Sequence, residues 1–286
     1  MIRRLALLGV GLIGGSLMRA LKAEQAVEHV VGYGREEENL QQALELGVID
    51  EIATSVADAV CNADMVVVAV PLGAVKALLD EMKEHLAEDA VVTDVGSVKW
   101  SVVRDAQQVF DGVVPPWFIP GHPIAGTENS GAASALTALY QGRRVILTPL
   151  DNRDEAALNK VTAMWKKAGA EVVEMGVQHH DEVLAATNHL PHLLAYGLVD
   201  VLARQETSRE IFHFAAGGFR DFSRIASSNP TMWRDISLAN RKPLLDTLDQ
   251  FRKELDEIEA MIRGREGDGL LELFSRAKQA RDDHYE

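Results

Sequence analysis

"IRRLALLGVGLIGGSLMRALKAE", residues Ile2–Glu24, decides how the rest of the chain is read. Ile2–Leu8 is a short apolar run that fits a buried strand, and "SLMRALKAE" has helical spacing, with Leu17, Ala20 and Leu21 on one face. Between them stands "GVGLIG", Gly9–Gly14. A GxGxxG by itself is a weak signal, but one lying between a strand and a helix has the context its mechanism needs. Gly9 allows a tight turn, Gly11 lets backbone approach a pyrophosphate, and Gly14 lets the helix close on the strand. A diphosphate then rests on the amides at the helix N-terminus. The stretch predicts a dinucleotide site at Gly9, Gly11, Leu12, Ile13 and Gly14.

The pattern repeats downstream. "HVVGYG" (29–34), "MVVVAVP" (65–71), "AVVTDVGS" (90–97), "RRVILTP" (143–149) and "AEVVEM" (170–175) read as buried strands, with helical stretches such as Ala74–Leu86 and Asp154–Ala168 between several of them. This alternation predicts an α/β chain: a Rossmann-like, doubly wound, mostly parallel sheet over residues 1–176. Ligands of such sheets bind beyond the carboxyl ends of the strands. Gly9–Gly14, Val70 and Pro71, Gly96 and Ser97, and His122 fall at that edge. At the end of the second strand an NAD site usually carries an acidic residue for the ribose hydroxyls. Here Gly34 and Arg35 stand instead, which suits a 2′-phosphate and favours NADP, with NAD as the alternative because Glu36, Glu37 and Glu38 follow.

After Met175 the strand signal stops, and residues 177–286 read as an all-α domain. In "QHHDEVLAATNHLPHLLAYGLVDVLA" Pro191 should kink the helix or open its hydrogen bonds. Leu244, Leu248, Phe251, Leu255, Ile258 and Ile262 form a heptad-like seam, ended by "GREGDG" (264–269), which predicts a homodimer through these helices.

The totals narrow the function. A chain of 286 residues can hold two domains, and a net charge of −14 argues against nucleic acid or an anionic membrane as partner. It leaves room for an anionic small molecule held by a few cations. Cys61 is the single cysteine, so no internal disulfide forms and a reducing, cytoplasmic setting is expected. The N-terminal apolar run is broken by glycines and stops at Arg19 without a small-residue cleavage site, unlike a signal peptide. No stretch reaches the roughly 18 apolar residues of a membrane span.

"GHPIAGTENSG", Gly121–Gly131, reads as an open loop with little to pack a core. His122 within it is the leading general base, since a histidine is largely unprotonated at neutral pH. Ser97 in "GSVK" could orient a hydroxyl or the imidazole, or could cap the helix after it. His189 and His192, three apart, share a helix face, yet with no HExxH pattern and no evident third ligand they do not predict a metal. In "GGFRDFSRIASSNPTMWRDI" (217–236), Arg220, Arg224 and Arg234 could bind carboxylates, unless Asp221 and Asp235 neutralise them.

Together "GVGLIGGSL", "DVGSVK", "GHPIAGTENSG", "NHLPH" and "FRDFSRIASSNPTMWRDI" resemble the prephenate and arogenate (cyclohexadienyl) dehydrogenases of tyrosine biosynthesis, in order from residue 5 to about 236. The resemblance implies oxidative decarboxylation of prephenate, arogenate or both, with hydride passing to NAD(P). It makes His122 and Ser97 catalytic and gives Arg224 a substrate carboxylate. His189, His192, Asp221, Trp233 and Thr127 would line or support the substrate pocket. The likeness of tyrosine to such a substrate would let it compete at the same pocket, which the sequence leaves open, and because the chain ends soon after the helical seam no separate mutase or regulatory domain is expected. One rival is a β-hydroxyacid dehydrogenase, disfavoured because no lysine lies between Lys167 and Lys242. Another is a protein that binds NAD(P) without turnover, which leaves His122 and Arg224 without work.

Overall fold

The computed structural model describes residues 1–127 and 129–285. Two compact units divide the chain, Met1–Arg241 and Lys242–Glu286. The first opens with β1 (Ile2–Leu8), α1 (Leu12–Ala23), β2 (Val27–Tyr33), α2 (Glu37–Glu45), β3 (Glu51–Ile52), α3 (Val56–Val60), β4 (Met65–Val68), α4 (Leu72–Met82), β5 (Val91–Asp94), α5 (Lys99–Val109) and β6 (Phe118–Ile119). These six strands form one parallel sheet in the order β3-β2-β1-β4-β5-β6, the Rossmann-like order expected of two βαβ halves.

Alternation along the strands puts a core on each face. Leu5 and Leu7 of β1 and Met65 and Val67 of β4 pack in one cluster with Leu17 and Leu21 of α1 and with Leu40 of α2. Their neighbours Ala6, Leu8, Val66 and Val68 pack in the other with residues of α3, α4 and α5. The strands are therefore near-continuous apolar runs, as a sheet covered on both sides requires.

The expectation of a single sheet needs correction. A second sheet follows, made of β7 (Gly121–Pro123), β8 (Arg144–Leu147) and β9 (Glu171–Glu174), with α6 (Glu155–Lys167) between the last two. β7 runs antiparallel to β8, and β8 parallel to β9. Pro120, which has no amide hydrogen, separates β6 from β7 and ends the first ladder there. "GHPIAGTENSG" is thus not loop throughout: its first three residues are a buried strand, too short to show periodicity.

The rest of this unit is helical: α7 (Val177–Leu184), α8 (Leu190–Ala203), α9 (Ser208–His213), α10 (Gly217–Ser223) and α11 (Pro230–Ala239). Between α7 and α8, residues Ala185–His189 form a π-helical turn. Pro191 at the start of α8 has no amide hydrogen, so the helix opens just before it, as its position in the sequence implies.

The second unit carries α12 (Arg241–Gly264) from its second residue on, and α13 (Gly267–Tyr285). Arg265 takes a positive φ of 56° at the break between them. Leu255 and Ile262 of the heptad-like seam are exposed, as are Leu271 and Phe274 on α13. Among the described residues no helix is long and apolar enough to cross a membrane.

Candidate active site

The glycine turn lies where β1 and β4 part company. Gly9 has φ +100°, and a Cβ there would stand 2.3 Å from the Ala69 carbonyl oxygen. A Cβ on Gly14 would lie 2.8 Å from the Gly9 carbonyl oxygen, so both glycines are demanded by the protein's own packing. Gly11 differs: nothing stands within 4 Å of a Cβ built on it. It is also the N-cap of α1 and places no side chain on the amides of the first turn. Free amides, a helix dipole and open space beside Gly11 fit a dinucleotide diphosphate. Leu12 is buried and Ile13 half-buried in that first turn.

Around this turn, Val70 is half-buried and Pro71 is the exposed N-cap of α4. Gly34 is half-buried, and Arg35 is exposed ahead of the equally exposed Glu36, Glu37 and Glu38. Asn39 follows and spans two loops: its amide donates to the Val10 carbonyl at 2.6 Å and its oxygen accepts the Ala132 amide at 2.9 Å. The Tyr140 hydroxyl donates to the Ile13 carbonyl at 2.6 Å. The excursion after His122 is thereby fastened to the glycine turn.

At the end of β5, Asp94 accepts the Gly96 amide at 2.7 Å and the Gly121 amide at 3.2 Å. Its other partner is Lys99, wholly buried, whose ammonium also donates to the Gly121 carbonyl, both at 2.5 Å. This pair binds the start of β7 to the start of α5 and so fixes the backbone that carries His122. Burial lowers the Lys99 pKa from its ordinary value, and the Asp94 carboxylate opposes that shift.

His122 is 5% exposed. Burial first, then the positive charges that His180, Lys99 and His189 can carry, hold its pKa well below 6.5. It is therefore a buried neutral base and not the solvated loop imidazole its sequence context suggested. Its Nδ1 lies 2.9 Å from His180 Nε2, and His180 Nδ1 lies 2.8 Å from Asp181 Oδ1. Asp181 also accepts the amides of Lys99 and Trp100, each at 2.8 Å. That removes one alternative for Ser97. The cap of α5 is the Asp181 carboxylate from α7, and the Ser97 side chain makes no hydrogen bond, to the helix or to His122, among the described residues.

The remaining candidates gather around Trp233. His192 stacks on its ring at 3.7 Å and 19°, and His189 meets the same ring edge-on at 6.1 Å. Trp233 packs with Val98 and Ile236 and, at the margin, with Leu72, so this aromatic group is built onto the residues following Ser97 and Pro71. Asn240 donates to the Asp181 carbonyl at 2.8 Å and to His189 Nδ1 at 3.0 Å, which leaves the hydrogen of His189 on Nε2. That Nε2 is buried without a partner among the described residues. Burial pushes the His189 pKa down to about 4. Burial also lowers the His192 pKa, against the Asn188 carbonyl that accepts from its Nδ1, and the positive charge of the exposed Arg224 acts in the same direction as burial. Asp221 and Thr127 are exposed, the Thr127 hydroxyl accepting the Asn129 amide at 3.2 Å. Arg234 is neutralised by Asp235 at 2.7 Å. No cluster of ligating side chains suited to a metal occurs among the described residues.

Residues 17–174 match the family model for the prephenate dehydrogenase nucleotide-binding domain, and residues 177–276 that for the prephenate dehydrogenase dimerization domain. The chain belongs to the prephenate dehydrogenase family. Cyclohexadienyl dehydrogenase of Zymomonas mobilis is 37% identical over 98% of this chain and 95% of its own length. Prephenate dehydrogenase of Bacillus subtilis is also 37% identical, over 96% of this chain and 74% of its own. A crystal structure of prephenate dehydrogenase from A. aeolicus, in complex with hydroxyphenyl propionate and NAD+, superposes with a TM-score of 0.91 at 36% identity, covering 99% and 98% of the two chains.

Within this prephenate dehydrogenase fold, sequence reasoning missed Asp94, Lys99, His180, Asp181 and Asn240. Asp94 and Lys99 flank the "VGSV" turn between a strand and a helix, and a charged pair there was the available signal. His180 and Asp181 stand together in "HHDE", a pair whose meaning depends on what α7 packs against. Asn240 carried no signal, being a common helix-terminal residue.

Proposed function

We propose that this chain oxidatively decarboxylates prephenate, arogenate or both in tyrosine biosynthesis, with His122 as the general base. Family membership supports the reaction, and the observation that carries the site is the His122 imidazole: buried, neutral, with Nδ1 engaged and Nε2 without a protein partner among the described residues. The bound nicotinamide supplies the hydride acceptor. His122 Nε2 takes the proton of the ring hydroxyl as the carbon bearing it loses hydride. The opposite ring carboxylate then leaves as carbon dioxide, and its bonding electrons make the ring aromatic. A positioned base of this kind supplies about 10²–10⁴-fold.

Ser97, on the turn after β5, would meet the hydroxyl beside His122. Arg224 would bind a substrate carboxylate, with the His192–Trp233 stack as a wall and the unpartnered His189 N–H as a donor to a substrate oxygen. Asp221 and Thr127 would support that pocket from its exposed side. The cofactor would lie along Gly9–Gly14, Val70, Pro71 and Gly96, with Gly34 and Arg35 at its ribose. Arg35 favours NADP over NAD. Residues 1–176 would act as the dinucleotide domain and 177–286 as the substrate and dimerisation domain. The exposed Leu255, Ile262, Leu271 and Phe274 support pairing of two copies, tyrosine would compete with substrate, and the single Cys61 suits a reducing cytoplasm.

A two-by-two assay tests the reading: prephenate and arogenate, each with NAD and with NADP, followed at the reduced-nicotinamide absorbance. Turnover in at least one combination is expected. Absence of turnover in all four, with dinucleotide still bound, overturns it.

A further inference from the structure

We propose that His180 and Asp181 are positioning residues that set the tautomer of His122, holding its hydrogen on Nδ1 so that Nε2 presents a lone pair. This deepens the reading of His122 as general base and rests on it. The proton placement follows from one end of the chain of contacts. Asp181 is 2% exposed, and its Oδ1 already receives the Lys99 amide while Oδ2 receives that of Trp100. A carboxylate so engaged can only accept from His180, so His180 Nδ1 is the donor at 2.8 Å. His180 is fully buried, and burial lowers its pKa from 6.5, which makes the ring neutral and its Nε2 an acceptor. The only hydrogen that can fill the 2.9 Å gap to His122 then belongs to His122 Nδ1.

The second tautomer of His122 would set two lone pairs against each other across that gap, in a site from which water is excluded. When Nε2 takes a proton, the imidazolium keeps its hydrogen bond to the His180 lone pair, backed by the Asp181 charge. Other charges face the same groups: Lys99 and Asp94 from α5 and β5, and His189 from the π-helical turn. None of them hydrogen-bonds the atoms that face each other between His122 and His180, so the direction of donation is unchanged.

The tests are ¹⁵N NMR on the wild-type chain and a mutant cycle. In histidine-labelled wild type, His122 should show a protonated Nδ1 and an unprotonated Nε2; the reverse overturns the proposal. His180→Asn keeps a donor toward Asp181 but removes the acceptor for His122, and should cost about 10-fold or more in kcat with dinucleotide affinity and substrate KM within about 2-fold. His180→Gln puts an amide oxygen near the place of Nε2 and should restore most of that loss. On a His122→Asn background, His180→Asn should cost nothing further, because it acts only through His122. Full additivity, or a His180→Asn enzyme with wild-type kcat, overturns the proposal. A His122→Asn enzyme as fast as wild type instead overturns the assignment of the base itself.

Discussion

The Lys99 ammonium lies 2.5 Å from the Asp94 carboxylate with neither side chain more than 1% exposed. Removing one partner of a buried pair leaves the other charge uncompensated, at a cost of about 3–5 kcal/mol. Lys99→Met should lower stability by that amount in urea unfolding, although Met fills much of the same volume. A loss below about 1 kcal/mol would mean that the Gly96 and Gly121 amides suffice to hold Asp94.

Acid should destabilise the fold through its histidines. His122, His180, His189 and His192 all have native pKa values below 6.5, so the unfolded chain binds more protons than the native one as pH drops below 6.5. Their contribution is fully present above the unfolded value and declines as pH falls through the window down to each native value. For His189, from 6.5 to about 4, this amounts to roughly 3 kcal/mol. Thermal melts between pH 8 and pH 5 should show Tm falling on the acid side; a flat or rising Tm contradicts the assignment.

The acid limb of activity should share that origin. As the proposed base His122 would work only when unprotonated, and its depressed pKa keeps it so to below pH 6.5. The kcat/KM profile should therefore have its acid limb centred below pH 6.5, and His122→Asn should abolish that limb while cutting kcat about 10²–10⁴-fold with cofactor affinity kept. An acid limb centred above 7 would assign it to another group.

Substrate and cofactor charges should separate cleanly by mutation. Arg224→Ala should raise the substrate KM about 10-fold or more, the worth of a charge-assisted hydrogen bond, and leave dinucleotide binding unchanged. Arg35→Ala should do the reverse, weakening NADP about 10-fold with NAD within about 2-fold. Equal loss for both dinucleotides would remove Arg35 from the 2′-phosphate.

Much of this architecture was legible because it depends on local pattern. The apolar run Ile2–Leu8, the glycines after it and the helical spacing beyond them need no distant partner to be read, and Pro191 announced its opened turn. What depends on a few residues or on tertiary placement was not legible. β3, β6 and β7 are two or three residues long and show no period. The burial of His122, its pairing with His180 and the capping of α5 by Asp181 bring together residues 58 and 82 positions apart. No window along the chain contains both ends of those contacts. Ser97 suits a helix cap on local grounds, yet the carboxylate of Asp181, far along the chain, holds that place.

Asn39 has a consequence for anyone redesigning coenzyme choice. The residues that would discriminate a ribose phosphate, 34–38, end immediately before a side chain that braces Val10 against Ala132. Segments transplanted from a relative to swap specificity should therefore stop at Glu38. A graft running one residue farther would unpin the glycine turn from the stretch leading out of the histidine strand, and lost activity would be mistaken for a failed exchange of coenzyme.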